Sequence, residues 1–513
     1  MPSDPSPNLL LGHVAEDGPQ ASNERIVLHA PQEHRARIIR NQFVTIADAR
    51  TDGLVFLGRV LGGPFFPQPS GEGVIVAELE VQGELADGEP RGTNNRPTPG
   101  STVHELPPQD VCRMLGLRGD MVLGTLIGRE DLEVGLQSTS KDVLPRNVGI
   151  FGTVGSGKSN SVQVLVEEAS QRGWAVIMLD LESEYTAMDA PSTQAHFGPR
   201  LERFGLQPRG LNDFHVYHPL SCASDCQDSN PFTLRLADFD SSITAELLQA
   251  SMGERNALLD CIDHFQQKFY TSVRTSDVER HKELLDSSPS TRMPFTVQLL
   301  RNRAQERSPR NSESLDYIGL TNKLLLLIHS GAFDQPNAPS MDIKEMLQPG
   351  RVNVIDVSAA NDLIKNLVTA DLLRKSFAYK CVNPDAPPTM LVIEEAHSFM
   401  SKERVQAMQG TLQMLRNVAR RGRKRWLSLT FVSQQPGHLP VEIFELCNTR
   451  IVHTLRSMHN LDSLMATTGD VTRELWARCP LLGTGEAIIS TPQFHRSVVV
   501  EVRPAASARR FVR

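Results

Sequence analysis

Two kinds of hydrophobic pattern divide the chain. Up to about residue 135 the apolar positions come in short runs: "RIVLHA", "QFVTIAD", "LVFLGRVLGG", "GVIVAELEV" and "MVLGTLIG". Turn-forming stretches separate them, notably "ADGEPRGTNNRPTPGS" at 86–101. Short strands punctuated in this way predict a small β-barrel over 26–135. Residues 1–25, rich in Pro, Ser, Asn and Asp, predict a flexible N-terminus. From 146 onward the pattern changes. "NVGIF", "WAVIMLD", "RVNVIDV", "TMLVIEE", "WLSLTFVSQ" and "RIVHTL" are continuous apolar runs of strand length. Segments with helical spacing, such as "KSNSVQVLVEEASQ", lie between some of them. This alternation predicts an α/β core with a parallel sheet, covering 136–231 and 347–495. Between 232 and 346 it stops. "ITAELLQASMGERNALLDCIDHFQQKFYTSV" and "TVQLLRNRAQE" keep a helical period between Ser/Pro-rich breaks, which predicts a helical insertion. Residues 496–513 read as a final strand and a basic tail.

The first apolar run of the α/β part leads into "GTVGSGKS" at 152–159, which fits G-x-x-x-x-G-K-[ST] at every fixed position. Chance supplies roughly 0.02 such matches in a chain of this length. A glycine turn between a strand and a helix points backbone N–H groups at phosphates, and the helix N-terminus adds its dipole. Gly152, Thr153, Gly155, Ser156, Gly157, Lys158, Ser159 and Asn160 are therefore the expected nucleotide-binding residues. Lys158 is expected on the β/γ-phosphates of ATP, and Ser159 on Mg²⁺. The strand "TMLVI" runs into two adjacent carboxylates. Glu394 is placed to hold Mg²⁺ through water, and Glu395 to orient and deprotonate the attacking water. Glu182 and Glu184 in "DLESEY" form a rival pair. We favour Glu395 because the "SLTFVSQ" strand follows it. That strand ends in Ser433 and Gln434, the polar tip expected between the P-loop and acidic strands, and Gln434 could reach the γ-phosphate or the water. "LRNVARRGRKRW" concentrates Arg416, Arg420, Arg421, Arg423, Lys424 and Arg425 just before it. In ring ATPases this region faces the neighbouring subunit's phosphates, which makes an arginine acting in trans the expected reading.

Charge narrows the partners. With 53 basic and 60 acidic residues the net charge is −7, so the chain is not coated for nucleic acid. A local basic channel is still allowed. The densest basic stretch away from the nucleotide site is "RNRAQERSPR", with Arg301, Arg303, Arg307 and Arg310. Seven scattered cysteines, of which Cys222 and Cys226 are the only close pair, read as free thiols. Together with the absence of a secretory leader they predict a cytoplasmic protein. The longest apolar run, "LLLLI" at 324–328, is too short to span a bilayer, so no membrane is expected.

These pieces, in this order, resemble the HerA family of hexameric DNA-translocating ATPases, relatives of the FtsK-type pumps. The resemblance rests on "FLGRVLGG", "RPTPGSTVHEL", "LGTLIGRE", "IFGTVGSGKSN", "DLESEY", "VIEEAH" and "VARRGRKRWLSLTFVSQQP". It implies a RecA-like P-loop NTPase core behind a barrel shared with ATP synthase subunits. It implies Glu395 as base, Gln434 as sensor, and Arg421 or Arg423 as finger, with Arg146 at the subunit interface. It also implies a homohexamer that moves double-stranded DNA with ATP and Mg²⁺. A partner effector, a nuclease or an NAD-consuming enzyme, would dock on the barrel, in DNA end processing or antiphage defence. The alternative is an ATPase ring scaffold that assembles and activates such an effector. A small-molecule kinase is disfavoured, because no acceptor motif accompanies the P-loop. Three departures stand out: Glu394-Glu395 where the family has Asp-Glu, "SEY" for its "GEY", and Asn147 for the His before its P-loop strand.

Overall fold

The computed structural model describes residues 9–16, 24–66, 73–274, 295–308, 314–396 and 409–510. Seven antiparallel strands come first: β1 (Leu10–Val14), β2 (Arg25–Pro31), β3 (Phe43–Ala47), β4 (Val55–Phe65), β5 (Val74–Ala86), β6 (Glu89–Arg91) and β7 (Thr102–Glu105). Their order is β2-β1-β7-β3-β4-β5-β6, and β2 also pairs with β5. Six strands thereby close into a barrel, and β6 extends β5. Alternate residues fill the interior, among them Leu28, Ile46, Phe56, Ile75 and Leu79. Two findings differ from the sequence reading. β1 lies within the stretch expected to be flexible. The strand "MVLGTL", expected in the barrel, belongs to the other sheet. Alternation marks a strand, but it carries no information about the partner the strand will find.

The second sheet has twelve strands: β8 (Met121–Leu126), β9 (Arg129–Leu136), β10 (Val148–Phe151), β11 (Ala175–Asp180), β12 (Phe214–Pro219), β13 (Asn230–Phe232), β14 (Val352–Asp356), β15 (Thr389–Ile393), β16 (Leu427–Ser433), β17 (Thr449–Val452), β18 (Glu486–Ser490) and β19 (Val498–Val502). Their order is β13-β12-β14-β11-β15-β16-β10-β17-β18-β19-β8-β9. From β13 to β17 every pairing is parallel, and from β17 to β9 every pairing is antiparallel. The parallel strands β10, β11, β14, β15, β16 and β17 are buried on both faces, which explains their apolar runs, whereas β12 and β13 at the sheet's edge are only partly buried. Ile177, Leu179, Leu391, Ile393, Leu429 and Phe431 face one core. Val176, Met178, Met390 and Val392 face the other. The first core also takes in the helices Met252–Arg274, Val297–Arg307 and Ser314–His329, which lie in sequence between β13 and β14. Among the described residues no helix is long and apolar enough to cross a membrane.

Candidate active site

Helix α1 (Pro108–Leu115) precedes β8; β10 ends at Phe151 and the helix α2 (Lys158–Gln171) starts seven residues later, so residues 152–157 must reverse the chain in a tight turn. Gly155 and Gly157 do so at φ +74° and +112°, backbone that favours glycine. Gly152 is needed for space: a Cβ there would lie 2.6 Å from both the His453 Cβ and the Ser156 Oγ. Within the turn, the Ser156 hydroxyl donates to the Thr153 carbonyl (2.7 Å), and the Lys158 ammonium donates to the same oxygen (3.2 Å). Thr153 donates through both N and Oγ1 to the Thr454 carbonyl, and the Ser156 carbonyl accepts from Gly485 N. Half-buried Ser159 lies in the first turn of α2, its hydroxyl unengaged among the described residues. Asn160 stands apart from this group. Its amide donates to the Arg503 carbonyl (2.8 Å) and accepts from Ala505 N (2.9 Å), so it fastens α2 to the chain after β19.

β16 pairs with β10 on one side and β15 on the other, so it lies between the P-loop and acidic strands as the sequence predicts. The register sets Phe151 beside Ser433 and Ile393 beside Phe431. The residues that follow these strand ends therefore meet. Gln434 Nε2 donates to Glu395 Oε1 at 2.5 Å. Glu394 and Glu395 are 5% and 8% exposed. Glu395 sits at φ +42°, strained for a non-glycine residue and of a kind that collects at working sites. Burial, then the nearby Asp180, pushes the Glu394 carboxyl well above the usual carboxylate range, against the opposing hydrogen bond from Tyr185. Burial pulls the Lys158 ammonium down, while Glu395, Glu394, Glu184 and Glu182 pull it back up. Both carboxylate pairs thus share one electrostatic neighbourhood with Lys158. Glu182 is raised by burial and by Glu395 and Glu184, and Glu184 also lies 3.7 Å from Arg509.

Residues 121–376 match the family model described as the central domain of helicase HerA. The DNA double-strand break repair helicase HerA of Saccharolobus solfataricus is 24% identical over 399 residues, which cover 77% of this chain and 70% of that one. Its counterpart from Pyrococcus furiosus is 21% identical over 453 residues, or 81% and 75% of the two chains. This chain belongs to the HerA family. VirB4 of Thermoanaerobacter pseudethanolicus shares its fold, with a TM-score of 0.51 at 18% identity over 75% of this chain and 97% of that one. The HerA chain is accordingly a P-loop NTP hydrolase.

The arginines of this HerA chain lie elsewhere. The helix Gln409–Arg421 and the turn Gly422–Arg425 precede β16, whereas the phosphate loop follows β10. The two sit at opposite ends of parallel strands, and the seven residues of β16 span roughly 20 Å at about 3.3 Å each. Arg423 pairs with Asp142 at 2.5 Å, and the same carboxylate oxygen holds Arg146 at 2.9 Å. Arg421 is exposed, with no side-chain partner among the described residues. Of the basic stretch in the insertion, Arg307 pairs with Asp260 at 3.1 Å and stacks on Tyr317. Arg303 pairs with Glu306, and Arg310 lies outside the described residues.

Three residues of the HerA site escaped the sequence reading. His453 is fully buried below the loop, with Nδ1 donating to the Glu486 carbonyl (2.9 Å) and Nε2 accepting from the Ser161 hydroxyl (2.8 Å). Arg503, 1% exposed, reaches Glu167 and Glu168 on α2 at 3.0 and 2.8 Å. Tyr185, fully buried, donates to Glu394 Oε1 at 2.6 Å. "SEY" carried a faint signal for Tyr185. His453 and Arg503 stand alone in strand-like runs, and their partners are remote in sequence. The departures from the family also find local explanations. Ser183 adopts φ +58°, where the family's glycine fits more easily. The Asn147 amide bridges three backbone groups, those of Ala419, Leu446 and Leu429, where β10 begins.

Proposed function

We infer that this HerA chain is an ATP-driven translocase of double-stranded DNA that works as a homohexameric ring. One observation carries the reading. Lys158, Glu395 and Gln434 converge at one end of three adjacent parallel strands, while the arginine turn lies at the other end. A chain so divided completes its site with a neighbour's arginine. Lys158 holds the β/γ-phosphates, and Glu395 takes the proton of the attacking water while Gln434 fixes its carboxylate. Mg²⁺ fits beside them. Glu394 Oε2 is buried without a hydrogen-bond partner among the described residues, and the Ser159 hydroxyl is unengaged. The ion would offset phosphate charge when bound. Arg421 or Arg423 supplies the finger, and the frame of Gly152–Gly157 supplies N–H donors. DNA as cargo is supported by the relatives named as DNA double-strand break repair helicases. A partner effector, nuclease or NAD-consuming enzyme, docking on the barrel is supported by the half-exposed Phe65 and Phe66 at its rim. DNA end processing or antiphage defence in the cytoplasm would follow from that partner.

Steady-state ATP turnover with and without linear duplex DNA tests the reading. Duplex DNA is expected to stimulate turnover. Glu395→Gln is expected to keep ATP binding and lose about 10²–10⁴-fold in turnover. Near-normal Glu395→Gln with dead Glu182→Gln or Glu184→Gln would move the base to the 181–185 turn. A wild-type ring indifferent to duplex DNA at low salt would favour the scaffold.

A further inference from the structure

The turn after β11 is built to deliver one phenol. Asp180, fully buried at the end of β11, accepts from the backbone N–H groups of Glu182, Glu184 and Tyr185, at 3.2, 3.2 and 2.9 Å. That cap winds residues 181–185 into a compact turn, with Ser183 in left-handed backbone and its hydroxyl toward Asp356. The turn carries Tyr185 into the core beneath β15, where its hydroxyl meets Glu394 Oε1. A tyrosine needed only for packing has no use for a carboxylate partner. A buried carboxylate satisfied on one oxygen alone leaves the second in need of a partner, which whatever enters the site can supply.

We propose that Tyr185 is a positioning residue for the divalent cation: it ties down Glu394 Oε1 so that Oε2 alone faces the metal's water shell. The proposal rests on the reading of Glu394 as the residue that holds Mg²⁺ through water. Partners of this kind fix ligand orientation, and their loss typically costs 10–100-fold in metal affinity or activity. Mg²⁺ favours one or two carboxylates with several retained waters, and a monodentate, pinned carboxylate suits that shell better than a swivelling one.

The test is a titration of Mg²⁺ against a fluorescent ADP analogue, read as metal-dependent nucleotide affinity. Tyr185→Phe keeps the ring and removes only the donor. It is expected to raise the Mg²⁺ half-saturation about tenfold or more and to leave nucleotide affinity in EDTA unchanged. Incorporation of 3-fluorotyrosine at 185, which restores a donor, should return the half-saturation to within about twofold of wild type. In a Glu394→Gln background, where the Tyr185 hydroxyl has no Glu394 carboxylate to hold, the further change Tyr185→Phe should cost nothing more, because coupled residues are not additive. An unchanged Mg²⁺ half-saturation in Tyr185→Phe, or an equal loss with and without the Glu394 carboxylate, overturns the proposal. An unchanged half-saturation in Glu394→Gln alone overturns instead the reading it rests on.

Discussion

His453 shows how one buried side chain can tie stability to acidity. Burial under the phosphate loop lowers its pKa to about 4, the neighbouring Lys158 adds to the effect, and the hydrogen bond to the Glu486 carbonyl opposes it. An unfolded chain binds that proton near pH 6.5. The contribution is therefore whole above pH 6.5 and is lost as the pH falls toward 4, by about 3 kcal/mol in total. Urea melts of wild type and His453→Gln at pH 7 and 4.5 should show the wild type losing more of its stability. Equal losses would mean that His453 is protonated in the folded chain. Ser183 offers a second check. Glycine carries no steric penalty at φ +58°, so Ser183→Gly should gain up to about 1 kcal/mol in a melt, less what its contact with Asp356 contributes. Lower stability would show that the Asp356 contact outweighs the backbone cost. These two residues also mark what the sequence could tell. The P-loop was legible because spacing alone carries its chemistry. His453 was not, since a lone histidine in "RIVHTL" acquires its meaning only from Ser161 and Glu486.

At the scale of elements, the strand pattern predicted six of the eight parallel strands, missed the partly buried β12 and β13, and read the antiparallel half poorly. A strand buried on both faces is written as an unbroken apolar run, so "VGIF", "AVIML" and "TMLVI" declared themselves. β8 and β9 alternate like barrel strands, and only the pairing of β8 with β19 assigns them to the larger sheet. That pairing is fastened to α2. Beyond β19, Arg503 meets Glu167 and Glu168, Ser507 meets Glu167, and Gln163 reaches Ser507 and Ala508. Arg503→Ala would leave buried Glu167 without its counter-charge and Glu168 with Arg172 alone, at 3.9 Å, and breaking such a buried pair typically costs about 3–5 kcal/mol. Chemical denaturation should register that loss together with weakened nucleotide binding, since α2 carries Lys158 and Ser159. A cost below about 1 kcal/mol would show the clasp to be incidental.

For the whole molecule, the separation of the arginine turn from the phosphate loop is what makes assembly matter. Arg423 is held by Asp142 beside Arg146, while Arg421 is exposed and has no side-chain partner among the described residues. Arg421→Ala and Arg423→Ala are expected to keep ATP affinity, and at least one of them to lose turnover, because a finger acts on the transition state. Mixing that variant with Glu395→Gln subunits should restore part of the hydrolysis, at interfaces where both intact parts meet. Absence of rescue at every mixing ratio would mean that each chain hydrolyses ATP alone.

The clasp after β19 also bears on how the chain is made. The barrel strands lie within the first 105 residues and can pair while synthesis continues. β8 must wait for β19, with Gly124 opposite Val502, and Glu167 on α2 lacks its counter-charge until Arg503 has emerged. Domains generally form as the ribosome releases them, and contacts between remote segments form slowly. A nascent chain stalled short of residue 503 would carry a complete P-loop motif on an unfinished sheet. Only a chain read through to that segment therefore has its nucleotide loop on a finished frame.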